Sequence, residues 1–100
     1  MSFKEELYVY IPNTFTPDGS GINDIWSPIF STFVNEGNYE CIVFNGFGEQ
    51  VFYSKDYHQG WDGTYEGRKA QDGTYTYYIQ FSGLENAKSS ILTGHVNLLR

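Results

Sequence analysis

Only one cysteine, Cys41, occurs in the 100 residues, so no internal disulfide can staple the fold. It lies in an alternating apolar run and reads as a small buried hydrophobe. Alanine appears twice, which leaves the chain poor in strong helix formers. Basic residues are also few: Lys4, Lys55, Arg68, Lys69, Lys88 and Arg100 are scattered, and only Arg68 and Lys69 are adjacent. With a formal net charge of −6, the chain would repel a phosphate backbone, and it offers no basic stripe to anionic lipid. Nucleic-acid binding is therefore excluded from the expected functions. No apolar run approaches the roughly 18 residues of a spanning helix, so no membrane insertion of its own is expected. Residues 1–10 lack the charged, apolar and small-residue regions of a signal peptide.

What the chain does have is strand chemistry. Aromatics make up 19%, and Val, Ile and Thr contribute nineteen residues more, which predicts an all-β fold. The length suits one domain, residues 1–100 with a core from about residue 7 to 100, and 40% hydrophobic residues argue against disorder. Residues 7–11 alternate and form a first strand that Pro12 stops. A structured loop over residues 13–24 follows, then a short or edge strand within residues 25–34, interrupted by Pro28. Residues 39–44 and 50–53 flank Asn45-Gly46-Phe47-Gly48, where Asn and Gly are expected to supply left-handed backbone for a tight hairpin. A short strand near Thr64 and Tyr65 precedes two longer alternating runs, residues 74–81 and 91–99, which pair as a closing hairpin across a turn at 83–90. Six or seven short, mostly antiparallel strands in this order predict a small β-sandwich.

Catalytic chemistry is hard to assemble from these residues. His58 lies in a loop and His95 on a strand, at no metal-ligand or triad spacing, and a mid-strand cysteine such as Cys41 is usually inert. We therefore expect no enzyme activity. Two motifs carry alternatives. In Asp18-Gly19-Ser20-Gly21-Ile22-Asn23-Asp24, Asp18, Ser20 and Asp24 could ligate calcium with the Ile22 carbonyl. The same side chains could instead bond nearby backbone N–H groups and stiffen the loop, and this second reading is favoured. In Gly60-Trp61-Asp62-Gly63-Thr64, Trp61 could be a sugar-stacking platform. The simpler reading makes Trp61 a core plug, with Asp62 tying the turn and Gly63 at positive φ.

Taken in order, the motifs resemble a known family. Tyr10-Ile11-Pro12-Asn13-Thr14-Phe15-Thr16-Pro17 and then Gly21-Ile22-Asn23-Asp24-Ile25-Trp26 resemble the opening of the gliding-motility-associated C-terminal domain family, the type B sorting domain of the type IX secretion system. Phe44-Asn45-Gly46-Phe47-Gly48 is similar to the family's Phe-Asn-x-x-Gly hairpin. Gly60-Trp61-Asp62-Gly63-Thr64, Asp72-Gly73-Thr74-Tyr75-Thr76-Tyr77 and Gly94-His95-Val96-Asn97-Leu98-Leu99-Arg100 match its later signals. Two positions depart: Gly46 and Phe47 stand where the family usually has Arg and Trp, and Asp18-Gly19-Ser20-Gly21 replaces Asn-Gly-Asp-Gly.

The resemblance implies an immunoglobulin-like sandwich at the end of a larger precursor. Such a domain is exported through the periplasm to the cell surface or beyond, and outer-membrane type IX translocon components read it as the address of its N-terminal cargo region. The missing signal peptide is then expected, with Arg100 as the natural end. Asn45, Gly48, Gly60, Trp61, Asp62, Gly63, Asp72 and Gly73 are expected to be structural. Gly94, His95, Val96, Leu98, Leu99 and Arg100 are the candidate contacts, because a terminal alternating strand can lie at a sheet edge. The rival reading is an extracellular adhesion or carbohydrate-binding module that stacks sugars on Tyr53, Tyr57, Trp61 and Tyr65.

Overall fold

A computed structural model describes residues 8–31, 34–84 and 88–100. In chain order its strands are β1 (Val9–Tyr10), β2 (Thr14–Phe15), β3 (Ile29–Phe30), β4 (Glu40–Phe44), β5 (Gln50–Ser54), β6 (Thr64–Tyr65), β7 (Arg68–Lys69), β8 (Gly73–Phe81) and β9 (Ser90–Leu98). A 3₁₀ turn, Glu36–Asn38, precedes β4, with the Asn35 side chain accepting from the Gly37 N–H. The chain is all-β, as expected. Leu7 and the middle of the 83–90 turn lie outside the described residues.

One layer is a five-stranded sheet in the order β2-β9-β8-β4-β5, antiparallel except for the parallel β2–β9 pair. The opposite layer is built from fragments: the β1–β3 pair, the β6–β7 pair, and a two-way backbone bridge between Trp26 and Trp61. The alternation of β8 and β9 explains which side faces in. Tyr75, Ile79 and Phe81 with Val96 and Leu98 are buried, while Thr74, Thr76 and His95 face out. They meet Phe15, Trp26, Tyr39, Cys41, Val43, Val51 and Trp61 in one cluster.

Two expectations need correction. The stretch 13–24 is not all loop, because Thr14 and Phe15 form β2 and pair with Asn97 and Leu98. Two residues between two prolines are too short for a periodicity signal, so only the partner strand defines them. In the β4–β5 hairpin, Gly48 alone of the four turn residues has positive φ, at 80°. Asn45 acts through its side chain instead, its Oδ1 accepting from the N–H groups of Phe47 and Glu49 at 2.9 and 3.0 Å. The turn thus closes with one left-handed glycine and a register shift after Val43, a bulged hairpin rather than a two-residue one.

Candidate functional site

The singled-out motifs converge on one end of the sheet, and each is organised by a side chain that satisfies backbone groups. In the first loop the Asp24 carboxylate is the hub. Its Oδ1 accepts from the N–H groups of Asp18 and Gly19 at 3.0 Å each, and its Oδ2 from Gly21 at 2.6 Å. Gly19 and Gly21, at φ 81° and 87°, bend the backbone so that these donors converge. Asp18 Oδ1 accepts from the Ser20 N–H, and bonding from Ser20 holds the Asp18 carboxyl below its ordinary range. Asp18, Ser20 and Asp24 therefore do come together, but their oxygens are engaged by the loop itself.

The Trp61 element is a core plug. Trp61 is 1% exposed, and its Nε1–H donates to the Thr64 carbonyl at 2.9 Å. Asp62 Oδ1 accepts from both the N–H and the hydroxyl of Thr64, and Gly63 turns at φ 81°. Phe15 and Tyr75 pack against the indole with ring centroids 5.3 and 4.9 Å away. Trp61 is consequently no sugar platform, which removes the central residue of the carbohydrate-binding alternative. Tyr57 is likewise drawn inward against Phe30 and Tyr39, while Tyr53 bonds Glu40.

Trp26, which the sequence shows only as the end of the opening motif, is fully buried and donates from Nε1 to the Pro12 carbonyl at 2.7 Å. That bond ties the start of the first loop to its end. Gly60 is held equally tightly: a Cβ there would lie 2.7 Å from the Trp26 carbonyl oxygen.

Arg100 was a candidate contact, and the structure places its side chain against the protein's own loops. Nη1 donates to the Pro17 carbonyl at 3.0 Å, and Nη2 to those of Gly63 and Ala70 at 2.7 and 3.2 Å. Its backbone N–H donates to Asp72 Oδ2 at 3.1 Å, while Nε lies 3.8 Å from Asp72 Oδ1. Beside this cluster the Tyr75 hydroxyl donates to the Gln71 carbonyl.

Along β9 the other candidates divide. Val96 and Leu98 are fully buried, whereas His95 and Leu99 expose their side chains. A Cβ on Gly94 would lie 2.5 Å from the Tyr77 hydroxyl, so glycine is what lets Tyr77 cross β9 and reach Trp26, 5.4 Å away between ring centroids. On the side away from β8, β2 covers only Asn97 and Leu98; among the described residues no strand pairs with residues 90–96 there. Asn97 and Leu99 direct their N–H groups to β2, so by strand alternation those of Ile91, Thr93 and His95 point to the same open side. The expected sheet edge is thus half realised.

The Cys41 thiol is enclosed and the imidazole of His58 is not. Cys41 is buried, and desolvation pushes its thiol up to about 12, far from a nucleophilic thiolate. His58 and Glu36 approach at 3.6 Å on the surface. An open depression of about 390 Å³ lies between the β4–β5 turn and residues 65–75, with Val51, Tyr65, Lys69 and Tyr75 in its lining.

The fold is a disulfide-free β-sandwich whose loops are cinched by Asp24, Trp61 and Arg100 and in which, among the described residues, only Asn97 and Leu98 of the last strand are covered on the side away from β8. A family model described as the CHU_C type IX secretion signal domain matches residues 9–98. The chain belongs to that family, as its motif order suggested. No curated protein matches it.

Proposed function

We propose that this domain is a non-catalytic sorting signal that directs a larger cargo, of which it is one part, through the type IX secretion system to the cell surface or outside. Membership of the secretion signal family supports the role. The observation that carries the mechanism is the half of β9 that, among the described residues, no strand covers on the side away from β8. Residues 90–96 contain no Lys, Arg, Asp, Glu or Pro, and they have no bulge against β8. Natural edge strands are usually blunted by one of these devices, so an unprotected edge is suited to pairing. A strand of an outer-membrane translocon component would add to the sheet there, main-chain bonds from Ile91, Thr93 and His95 supplying affinity and the exposed His95 and Leu99 side chains selectivity.

The test is a reporter bearing a signal peptide, fused to residues 1–100 in a type IX-competent cell. We expect the reporter outside the cell. T93P deletes an outward N–H while sparing the β8 ladder, and it should leave a folded domain whose reporter stays in the periplasm. T93A should export normally. A wild-type reporter retained in the periplasm with its domain folded would overturn the reading.

A further inference from the structure

Arg100 lies two residues beyond β9, yet its guanidinium joins three segments that are otherwise separate. The acceptors belong to Pro17 in the first loop, Gly63 in the turn after Trp61, and Ala70 just after β7, separated from Arg100 by 83, 37 and 30 positions. Asp72, in the turn before β8, holds the same residue through its backbone N–H and lies near Nε. The side chain is only 21% exposed, so most of it is spent on these contacts. Three carbonyls around one planar group is a task for arginine. Its five donors are fixed in a fork, while a lysine brings a single point of charge that cannot reach all three.

The first loop shows why this matters. Its remaining hydrogen bonds close on itself: Asp24 gathers Asp18, Gly19 and Gly21, and the Thr16 N–H donates to the Asn23 carbonyl. The loop's flanks are anchored, Phe15 by pairing with Leu98 and Trp26 by its bridge to Trp61, but the internal bonds give the span between them no tie of its own to the neighbouring turns. Among the described residues, the bond from Arg100 to Pro17 is what ties the loop to the Gly63 and Asp72 turns. Gly63 completes the seat, since a Cβ there would lie 2.9 Å from the Pro17 ring and 3.3 Å from Arg100 Nη2.

We infer that Arg100 is a positioning residue that welds the 18–24 loop and the Gly63 and Asp72 turns into one composite face, and that the secretion machinery reads this face as folded shape, not as a linear tail or a lone positive charge. This inference rests on the sorting reading above. Arg100 itself is mostly withdrawn from a partner and acts through the loop it holds.

Amide exchange and export, measured on the same variants, test it. R100A and R100K should keep the circular dichroism of the wild type, speed exchange of the Gly19 and Gly21 amides by about tenfold, and lower reporter export severalfold. If R100A does not fold, D72A carries the test, since it loosens the latch while keeping the arginine charge; the same pair of changes is expected. Unchanged exchange in a folded R100A would show that Arg100 does not hold the loop, and normal export with a loosened loop would show that the face is not read. Either result overturns the inference. So would R100K restoring export while exchange stays fast, because charge rather than loop order would then be the signal. Failure of the wild-type reporter to leave the periplasm would instead sink the sorting reading, and the exchange measurement would still report on the latch.

Discussion

Trp26 and Trp61 illustrate how single side chains organise this molecule. Each buries a large apolar body and directs its indole N–H to a backbone carbonyl, of Pro12 and Thr64, so neither leaves a donor stranded. Replacing Trp61 with alanine removes the packing under Phe15 and Tyr75 and the bond to Thr64. W61A should lower unfolding free energy by about 3–5 kcal/mol in urea denaturation, with W61F intermediate. The buried role of Trp61 was legible in its sequence setting, since a lone tryptophan among glycines with Asp62 beside it reads as a plug above a tight turn. The bonding of Asp24 to nearby backbone N–H groups was the favoured of two readings of its loop. Which donors its carboxylate gathers was not legible, because the directions of the N–H groups of Asp18, Gly19 and Gly21 are set only in the folded loop.

Among the elements, the β4–β5 hairpin was located correctly from alternation on both sides of Asn45, but its turn geometry was not. Periodicity reports where strands run; it does not distinguish a two-residue turn from a bulged one whose left-handed position falls three residues after Asn45. Gly48 is that position, in open space at φ 80°, so a side chain there is penalised by backbone strain alone. G48A should therefore cost about 1–2 kcal/mol, while G46A, without positive φ, should cost markedly less; paired thermal melts check the difference. β9 likewise runs where alternation puts it, and among the described residues β2 covers its outer edge only at Asn97 and Leu98. Whether an edge is open depends on β2, whose two residues carry no pattern of their own.

At the scale of the whole molecule, ionisation of the core couples to stability. Burial raises the Cys41 thiol from 9.0 to about 12, and burial, followed by the neighbouring Cys41, lifts the Tyr39 hydroxyl well above the usual tyrosine range. Tyr39 Oη is buried with no hydrogen-bond partner among the described residues. Both groups hold their protons more tightly folded than unfolded. Their contribution is complete below the unfolded pKa and is lost as pH climbs towards the folded value. Stability should thus fall between pH 9.0 and about 12, and C41V should flatten that decline, as read from denaturation at neutral pH and near about pH 10.

The sequence by itself determined the all-β class, the principal strands, and an ordered set of turn motifs sufficient to assign the family. These are local properties, written in alternation and in residues with special backbone freedom. Tertiary structure alone decided that Thr14 and Phe15 join the far end of the chain, that among the described residues β2 covers β9 only at Asn97 and Leu98, and that Arg100 grips Pro17, Gly63 and Ala70. Its acceptors there are backbone carbonyls, which every residue possesses. Nothing in the order of side chains marks which of them will meet a guanidinium, and the meeting exists only once distant turns have been brought to the same end of the sheet.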